Sequence, residues 1–351
     1  LSKPGSIPEL ERLAYKRASK RQRAFIFTGA GDQWTLHRNI SALEEIRLLP
    51  RACVDVSRVD TSTTILGERH ALPILLAPTG AGILVHWSGE IGVGRAAHNS
   101  SVTTILSTMS SIPIEMVAGT GCDLWFQLYP QSDRDFTDRL LDRALRAGAK
   151  AIVVSVDQPV HGLRDAWRHI KLPRWVKPPH LFGVKNPARG GIYHPRLAPD
   201  FTWQDLEHIC KAVNVPVWIK GVLRPDDAIC AQDHGVSGVI VSNHGGRSLD
   251  GLPSAIDVLP EIVAATSLPI IVDGGIRRGT DIIKAVALGA SAVLIGRPYL
   301  YGLLVNGQKG VELAIGILKR ELETSMALLG LTSVDQIDRR TLYEATVHRS
   351  G

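Results

Sequence analysis

The sequence predicts an α/β fold of one particular kind, a (β/α)8 TIM barrel, with an N-terminal helical segment and a lid insertion after strand four. Three observations carry the prediction. Eight short aliphatic runs alternate with segments of helical spacing. The unit repeats faintly: Gly148, Gly235 and Gly289 are followed three residues on by Ala151, Gly238 and Ala292, and seven on by Ser155, Ser242 and Gly296. Finally, the runs end in polar or bare residues, as strands do where a barrel opens onto its active face. Strands that are apolar throughout are covered on both sides and hence parallel, and eight of them favour closure over an open sheet.

In chain order, residues 8–20 are charged and weakly amphipathic, a surface helix leading into Ala24–Asp32, and residues 1–70 together read as a helical extension. The strands are Pro73–Ala77, Thr103–Leu106, Leu124–Tyr129, Ala151–Val156, Val217–Lys220, Gly238–Val241, Ile270–Asp273 and Ala292–Ile295. Asp133 caps a helix that runs to Arg146 and ends at Gly148. Thr202-Trp203-Gln204-Asp205 is a capping box, with Asp for the preferred Glu, opening a helix to Val213. Thr280-Asp281 starts another that ends at Leu288-Gly289. Residues 165–201 are rich in Pro, Arg, Lys and Gly without periodicity, which reads as a lid over the catalytic face. From Val311 to Leu329 one helix face carries Val311, Ala314, Ile315, Leu318, Leu322, Met326 and Leu329, a core-packing stripe. The whole of 1–351 reads as one domain.

Composition narrows the function classes. With 44% hydrophobic and 21% charged residues, the 351-residue chain has material for a large core. A formal charge of +6 favours small anionic ligands. The basic residues are scattered and there are only six Phe and six Tyr to stack bases, which argues against nucleic acid. Cys53, Cys122, Cys210 and Cys230 are far apart with no CxxC spacing, so neither disulfides nor a metal site is expected, and a reducing, cytoplasmic compartment is. Apolar stretches are broken well before membrane-spanning length, so no membrane partner is expected. The first residue is Leu1, which leaves open a removed targeting segment, and no peroxisomal-type tail is visible.

The chemistry concentrates at the strand ends. Ser242-Asn243-His244-Gly245-Gly246-Arg247 follows a buried strand: glycines let the backbone approach a ligand, the histidine moves protons near neutral pH, and the arginine can grip a carboxylate with two hydrogen bonds. Thr79, Ser107, Gln127, Tyr129, Ser155, Asp157, Lys220, Asp273, Arg277 and Arg297 end other strands or open their loops. A charge such as Lys220 or Asp273 ending an apolar strand is costly to bury unpaired. Asp273-Gly274-Gly275-Ile276-Arg277-Arg278-Gly279 and Gly296-Arg297-Pro298 expose backbone N–H groups beside arginines, the phosphate site of this fold. Neither a Gly-Lys-Ser/Thr loop nor a GxGxxG loop opening a dinucleotide fold is present, so a phosphorylated cofactor in the barrel mouth fits better than a nucleoside triphosphate or NAD.

These motifs, with Gly31-Asp32-Gln33-Trp34-Thr35, Leu75-Leu76-Ala77-Pro78-Thr79, Phe126-Gln127-Leu128-Tyr129 and Val156-Asp157, resemble the FMN-dependent α-hydroxy acid oxidase/dehydrogenase family, from about residue 10 to 335. The resemblance implies FMN as cofactor, a small anionic 2-hydroxy acid as substrate, oxygen or an unknown carrier as electron acceptor, and a homotetramer. It implies His244 as base, Asp157 as its orienting carboxylate, Arg247 and Arg164 for the substrate carboxylate, and Tyr129 at the reacting end. Pro78, Thr79, Gly80, Ser107, Gln127, Ser155, Lys220 and Ser242 would line the flavin, with Lys220 near its N1/C2 carbonyl. Asp273, Gly274, Gly275, Arg277, Gly296 and Arg297 would surround its phosphate end.

The sequence departs from the family at the substrate. Phe25 stands where the family has a carboxylate-gripping tyrosine, Met109 where glycolate oxidase has tryptophan, and His161 where an aliphatic residue is expected. Those changes spare the redox groups and imply a substrate other than glycolate or lactate: a bulkier 2-hydroxy acid, or an amine or cyclic analogue. A non-redox FMN isomerase and a non-catalytic FMN-binding scaffold are the competing classes.

Overall fold

A computed structural model describes residues 3–168, 170, 173, 176–184 and 197–343. Eight parallel strands close into a barrel: Ile74–Leu76, Thr104–Ser107, Leu124–Leu128, Ile152–Ser155, Val217–Val222, Gly238–Val241, Ile270–Asp273 and Ala292–Ile295. The eighth pairs with the first in the register Val293↔Ile74, Leu294↔Leu75, Ile295↔Leu76. All eight expected strands form, each within two residues of its expected bounds. Their uninterrupted hydrophobicity has a two-sided cause. Leu75, Ile105, Trp125, Val153, Trp218, Ile240, Ile271 and Leu294 fill the barrel, while their neighbours Ile74, Leu106, Phe126, Val154, Ile219, Val239, Val272 and Val293 face the helices. Inside, the Trp125 and Trp218 rings sit 5.4 Å apart.

The helices Arg134–Arg146, Trp203–Ala212 and Gly279–Ala287 form where their caps predict. The Asp133 carboxylate accepts from the Phe136 N–H, and Thr202 and Asp205 complete a reciprocal capping box.

The N-terminal region refines one expectation and corrects another. The first helix, Ile7–Arg17, keeps a charged face at the surface, but its apolar stripe is deeper than expected: Ile7, Leu10 and Ala14 are fully buried, and it packs against the C-terminal helix. Residues 1–70 are not helical throughout. Helices Lys20–Ile26 and Trp34–Glu45 give way to an antiparallel hairpin, Thr63–Ile65 with Glu68–His70, whose Ile65 joins the apolar filling of the barrel. The C-terminal helix also differs: it starts at Arg297, ends at Leu328 and breaks at Asn306-Gly307.

Within 165–201, the described residues include a short helix, Asp165–Arg168, and a 3₁₀ turn, Pro179–Leu181. The buried His180 ring anchors that turn to the barrel, its Nε2 accepting from the Ile114 N–H at 3.0 Å and its Nδ1 3.3 Å from the Thr108 carbonyl. Residues 169, 171–172, 174–175 and 185–196 of the expected lid lie outside the described residues. Among the described residues no helix is long and apolar enough to cross a membrane.

Candidate active site

Strand periodicity places the site. Two residues beyond each inward-facing core residue comes the next inward position: Ala77, Ser107, Gln127, Ser155, Lys220, Ser242, Asp273 and Gly296. Below this layer the barrel is apolar; at this layer it turns polar. Ser107 Oγ donates to Gln127 Oε1 at 2.8 Å, across paired strand positions. Lys220 Nζ donates to Ser242 Oγ at 2.7 Å and lies 3.2 Å from Asp273 and 3.8 Å from Asp157. Burial disfavours the charged Lys220 amine, but Asp273 and Asp157 outweigh it and hold its pKa above the ordinary lysine range. Burial also pushes the Asp157 carboxyl up, and there His244 and Lys220 prevail, keeping it below the usual carboxylate range.

The loop after the sixth strand carries the histidine. His244, Gly245 and Gly246 are three consecutive left-handed residues, with φ of 59°, 64° and 70°. Glycine is required at 246 for a second reason, since a Cβ there would lie 2.6 Å from the Leu36 nitrogen. A side chain in this conformation costs of order 1–3 kcal/mol and persists where the surroundings over-determine it. Here they do: the His244 N–H donates to Ser242 Oγ at 3.0 Å, and Nδ1 lies 2.9 Å from Asp157 Oδ1. With Nδ1–H donating to the carboxylate, Nε2 is left with a lone pair, 3.3 Å from the Tyr129 hydroxyl. Tyr129 also donates to Gln158 Oε1 at 3.2 Å, and burial raises its phenol pKa.

Two arginines are held by main-chain carbonyls. Arg247 Nη1 donates to the Phe25 carbonyl at 2.7 Å. Arg297 donates from Nε to Ile26, from Nη1 to Gly245 and from Nη2 to Thr28, at 2.9, 2.9 and 3.1 Å. Arg297, expected at the phosphate end, lines the cleft and gives two of its N–H groups to the N-terminal segment and one to the loop after the sixth strand. Burial, with Arg164 and Arg297 nearby, pulls the Arg247 pKa well down; burial brings Arg297 to about 10. Arg164 Nη1 is buried without a hydrogen-bond partner among the described residues.

The remaining expected residues fall around one cleft of about 450 Å³. Pro78, Thr79 and Gly80 form one rim beside Met109, and Thr79 is hydrogen-bonded to the Tyr299 hydroxyl at 2.5 Å. Gly274, Gly275 and Arg277 form another, where Gly275 has no room for a Cβ against the Asn39 carbonyl. Phe25, Tyr129, His161, Arg164, His244 and Arg247 line a third side. Asp157, Gln127, Ser155 and Ser242 sit against this lining: Asp157 beside His244 and Lys220, Gln127 beside Ser107, and Ser155 and Ser242 beside Lys220. Sequence reasoning missed several supports. Asp250 accepts from the backbone N–H groups of Trp34 and Thr35, and Asn39 and Asn243 bond each other through buried amides. Trp167 and Gln158 line the cleft. Nothing local in the sequence marks these pairings, which join residues some two hundred positions apart.

The donor set fits a phosphorylated flavin. Gln127 Nε2 and Ser155 Oγ are buried polar atoms with no hydrogen-bond partner among the described residues, and Arg277 Nε has none either, its nearest charge being Glu11 at 3.8 Å, an arrangement normally costly enough to imply a ligand. Cationic groups around the cleft (Arg164, Arg247, Arg277, Arg297 and Lys220) exceed the carboxylates, which suits a ligand bearing a phosphate and a substrate bearing a carboxylate.

A closed parallel barrel with this mouth defines an oxidoreductase of the flavin-barrel class. A family model described as FMN-dependent dehydrogenase matches residues 14–344, and the chain belongs to that family, with FMN as its cofactor. It is 42% identical to an L-lactate oxidase of Nostoc sp., over 98% of this chain and 99% of that protein. It is 41% identical to a peroxisomal (S)-2-hydroxyacid oxidase of Arabidopsis thaliana, over 95% of each. Among solved structures, a mandelate oxidase variant with (S)-mandelic acid superposes with a TM-score of 0.90 at 38% identity, covering 97% of this chain and 98% of the other.

Proposed function

We propose that this enzyme oxidises carbon 2 of a 2-hydroxy acid bulkier than glycolate or lactate to the 2-oxo acid, with oxygen as final electron acceptor. The observation that carries the reading is the His244–Asp157 pair, with Nε2 turned toward a cleft bordered by Arg164 and Arg247. The oxidase names of the relatives support the reaction class and oxygen.

FMN supplies the acceptance of two electrons. Gln127, Ser155, Lys220, Ser107, Thr79 and the Pro78-Gly80 rim would hold its ring and ribityl chain. Arg277, with the backbone N–H groups of Gly274, Gly275 and the 296–297 turn, would take its phosphate, while Asp273 and Ser242 keep Lys220 in place. Lys220 would offset negative charge on the ring. Arg247 and Arg164 bind the substrate carboxylate, Arg164 through its unpartnered Nη1. Tyr129 donates to the substrate oxygen on carbon 2. His244 Nε2 takes a proton from the substrate, and the ionised Asp157 stabilises the resulting imidazolium and fixes its orientation. Phe25 brings no hydroxyl to the carboxylate, so part of the affinity must come from the group on carbon 2, beside Met109 and His161. Residues 165–201 would serve as lid. A cytoplasmic homotetramer completes the proposal.

The test is anaerobic mixing of the purified yellow enzyme with a panel of 2-hydroxy and 2-amino acids. Bleaching of the flavin by 2-hydroxy acids, fastest with the bulkier ones, is expected. Bleaching by 2-amino acids alone would move the reaction to amines; no bleaching by any would favour a non-redox role.

A further inference from the structure

Each of the two substrate-side arginines packs over an aromatic ring, and the two rings touch. The Arg247 guanidinium carbon lies 5.5 Å from the Phe25 ring centroid, the Phe25 and Trp167 centroids are 5.4 Å apart at 47°, and the Arg164 guanidinium carbon lies 5.3 Å from the Trp167 centroid. Phe25 comes from the Lys20–Ile26 helix and Trp167 from the Asp165–Arg168 turn, so two distant segments meet at the cleft through this contact. Both rings line the cleft, as do Met109 and Val176.

We propose that Trp167 is a specificity-determining residue. With Phe25 it builds an aromatic wall that selects a substrate carrying an apolar, planar group on carbon 2. This inference rests on the reading of Arg164 and Arg247 as the carboxylate clamp. A carboxylate held there fixes the acid at one end, and carbon 2 is one bond away. Its substituent must therefore lie beside whatever flanks the guanidinium groups. What flanks them is two tilted rings, a geometry that receives a third ring edge-to-face. A hydrogen or methyl group would leave that wall uncovered. Each guanidinium also makes cation–π contact with one of the two rings, so the wall adjoins the clamp directly.

The experiment uses the holoenzyme and two carboxylates with no hydroxyl to oxidise, phenylacetate and acetate, whose binding is read from the change in flavin absorbance. Trp167→Ala should weaken phenylacetate by about tenfold or more and acetate much less, and Trp167→Phe should recover most of the loss. In turnover, the kcat/KM preference of the wild type for a phenyl- over a methyl-substituted 2-hydroxy acid should fall by a similar factor, chiefly through KM. Equal weakening of both carboxylates in Trp167→Ala, or no change in either, would overturn the proposal, the first by reducing Trp167 to a prop for Arg164. If no 2-hydroxy acid bleaches the wild type, the oxidase reading falls, yet the phenylacetate-to-acetate ratio still decides the wall.

Discussion

Nδ1 of His244 lies 2.9 Å from Oδ1 of Asp157, a contact between residues 87 positions apart. Asp157 is also near Lys220, and its two neighbours together hold its carboxyl below the usual carboxylate range. The imidazole is thereby fixed in one orientation, with a charge partner ready for the proton it receives.

Replacing Asp157 with Asn keeps the shape and removes the charge. Turnover should fall roughly 100- to 10,000-fold, with flavin absorbance retained. Single-turnover flavin reduction measures it, and a variant as fast as wild type would remove Asp157 from the chemistry.

Phe25→Tyr tests the carboxylate grip from the other side. A new hydrogen bond to a charged group contributes about 1.5–3 kcal/mol. The kcat/KM on lactate or glycolate should rise roughly 10- to 100-fold. A panel of simple acids showing no gain would mean Phe25 does not retune the site.

Lys220→Met should be among the most destabilising single changes in the barrel. It leaves Asp157 and Asp273 buried beside no cation, a loss of about 3–5 kcal/mol when one partner of a buried pair is removed. Urea unfolding of the holoenzyme, with a matched surface lysine as control, gives the number.

His180 makes stability pH-dependent. Burial and the nearby Arg143 keep its ring neutral, pulling its pKa down to about 4, against 6.5 for an ordinary histidine. The folded pKa is the lower one, so the folded state is fully favoured above about 6.5. That advantage is lost as pH falls toward 4, up to about 3 kcal/mol in all. His180→Gln should flatten that slope in urea titrations between pH 7.5 and 4.5; an unchanged slope would place the acid sensitivity elsewhere.

The barrel was legible because its strands obey two constraints at once: apolar on both faces, and closed by a glycine before each repeat. The polar layer was legible for the same reason, since it begins where the inward alternation leaves hydrocarbon at Ser107, Gln127, Ser155, Lys220 and Asp273. What stayed hidden was whatever depends on a distant partner. Ile7, Leu10 and Ala14 look like a weak amphipathic stripe until the C-terminal helix covers them. Asp250 looks like a loop residue until the Trp34–Glu45 helix presents its first turn. Arg297 follows a glycine at the cleft, and only the folded chain reveals the Ile26, Thr28 and Gly245 carbonyls that also take its N–H groups. Trp167, in a stretch without periodicity, gave no signal at all.

Arg247 and Arg297 are tethered through oxygen atoms that every amino acid possesses, those of Phe25, Ile26, Thr28 and Gly245. Side chains along 25–28 can therefore be exchanged without dislodging either guanidinium. An ancestral pocket of this design could shift from one acid to another by single replacements, its anion anchor staying put throughout. Directed evolution toward new acids should begin there.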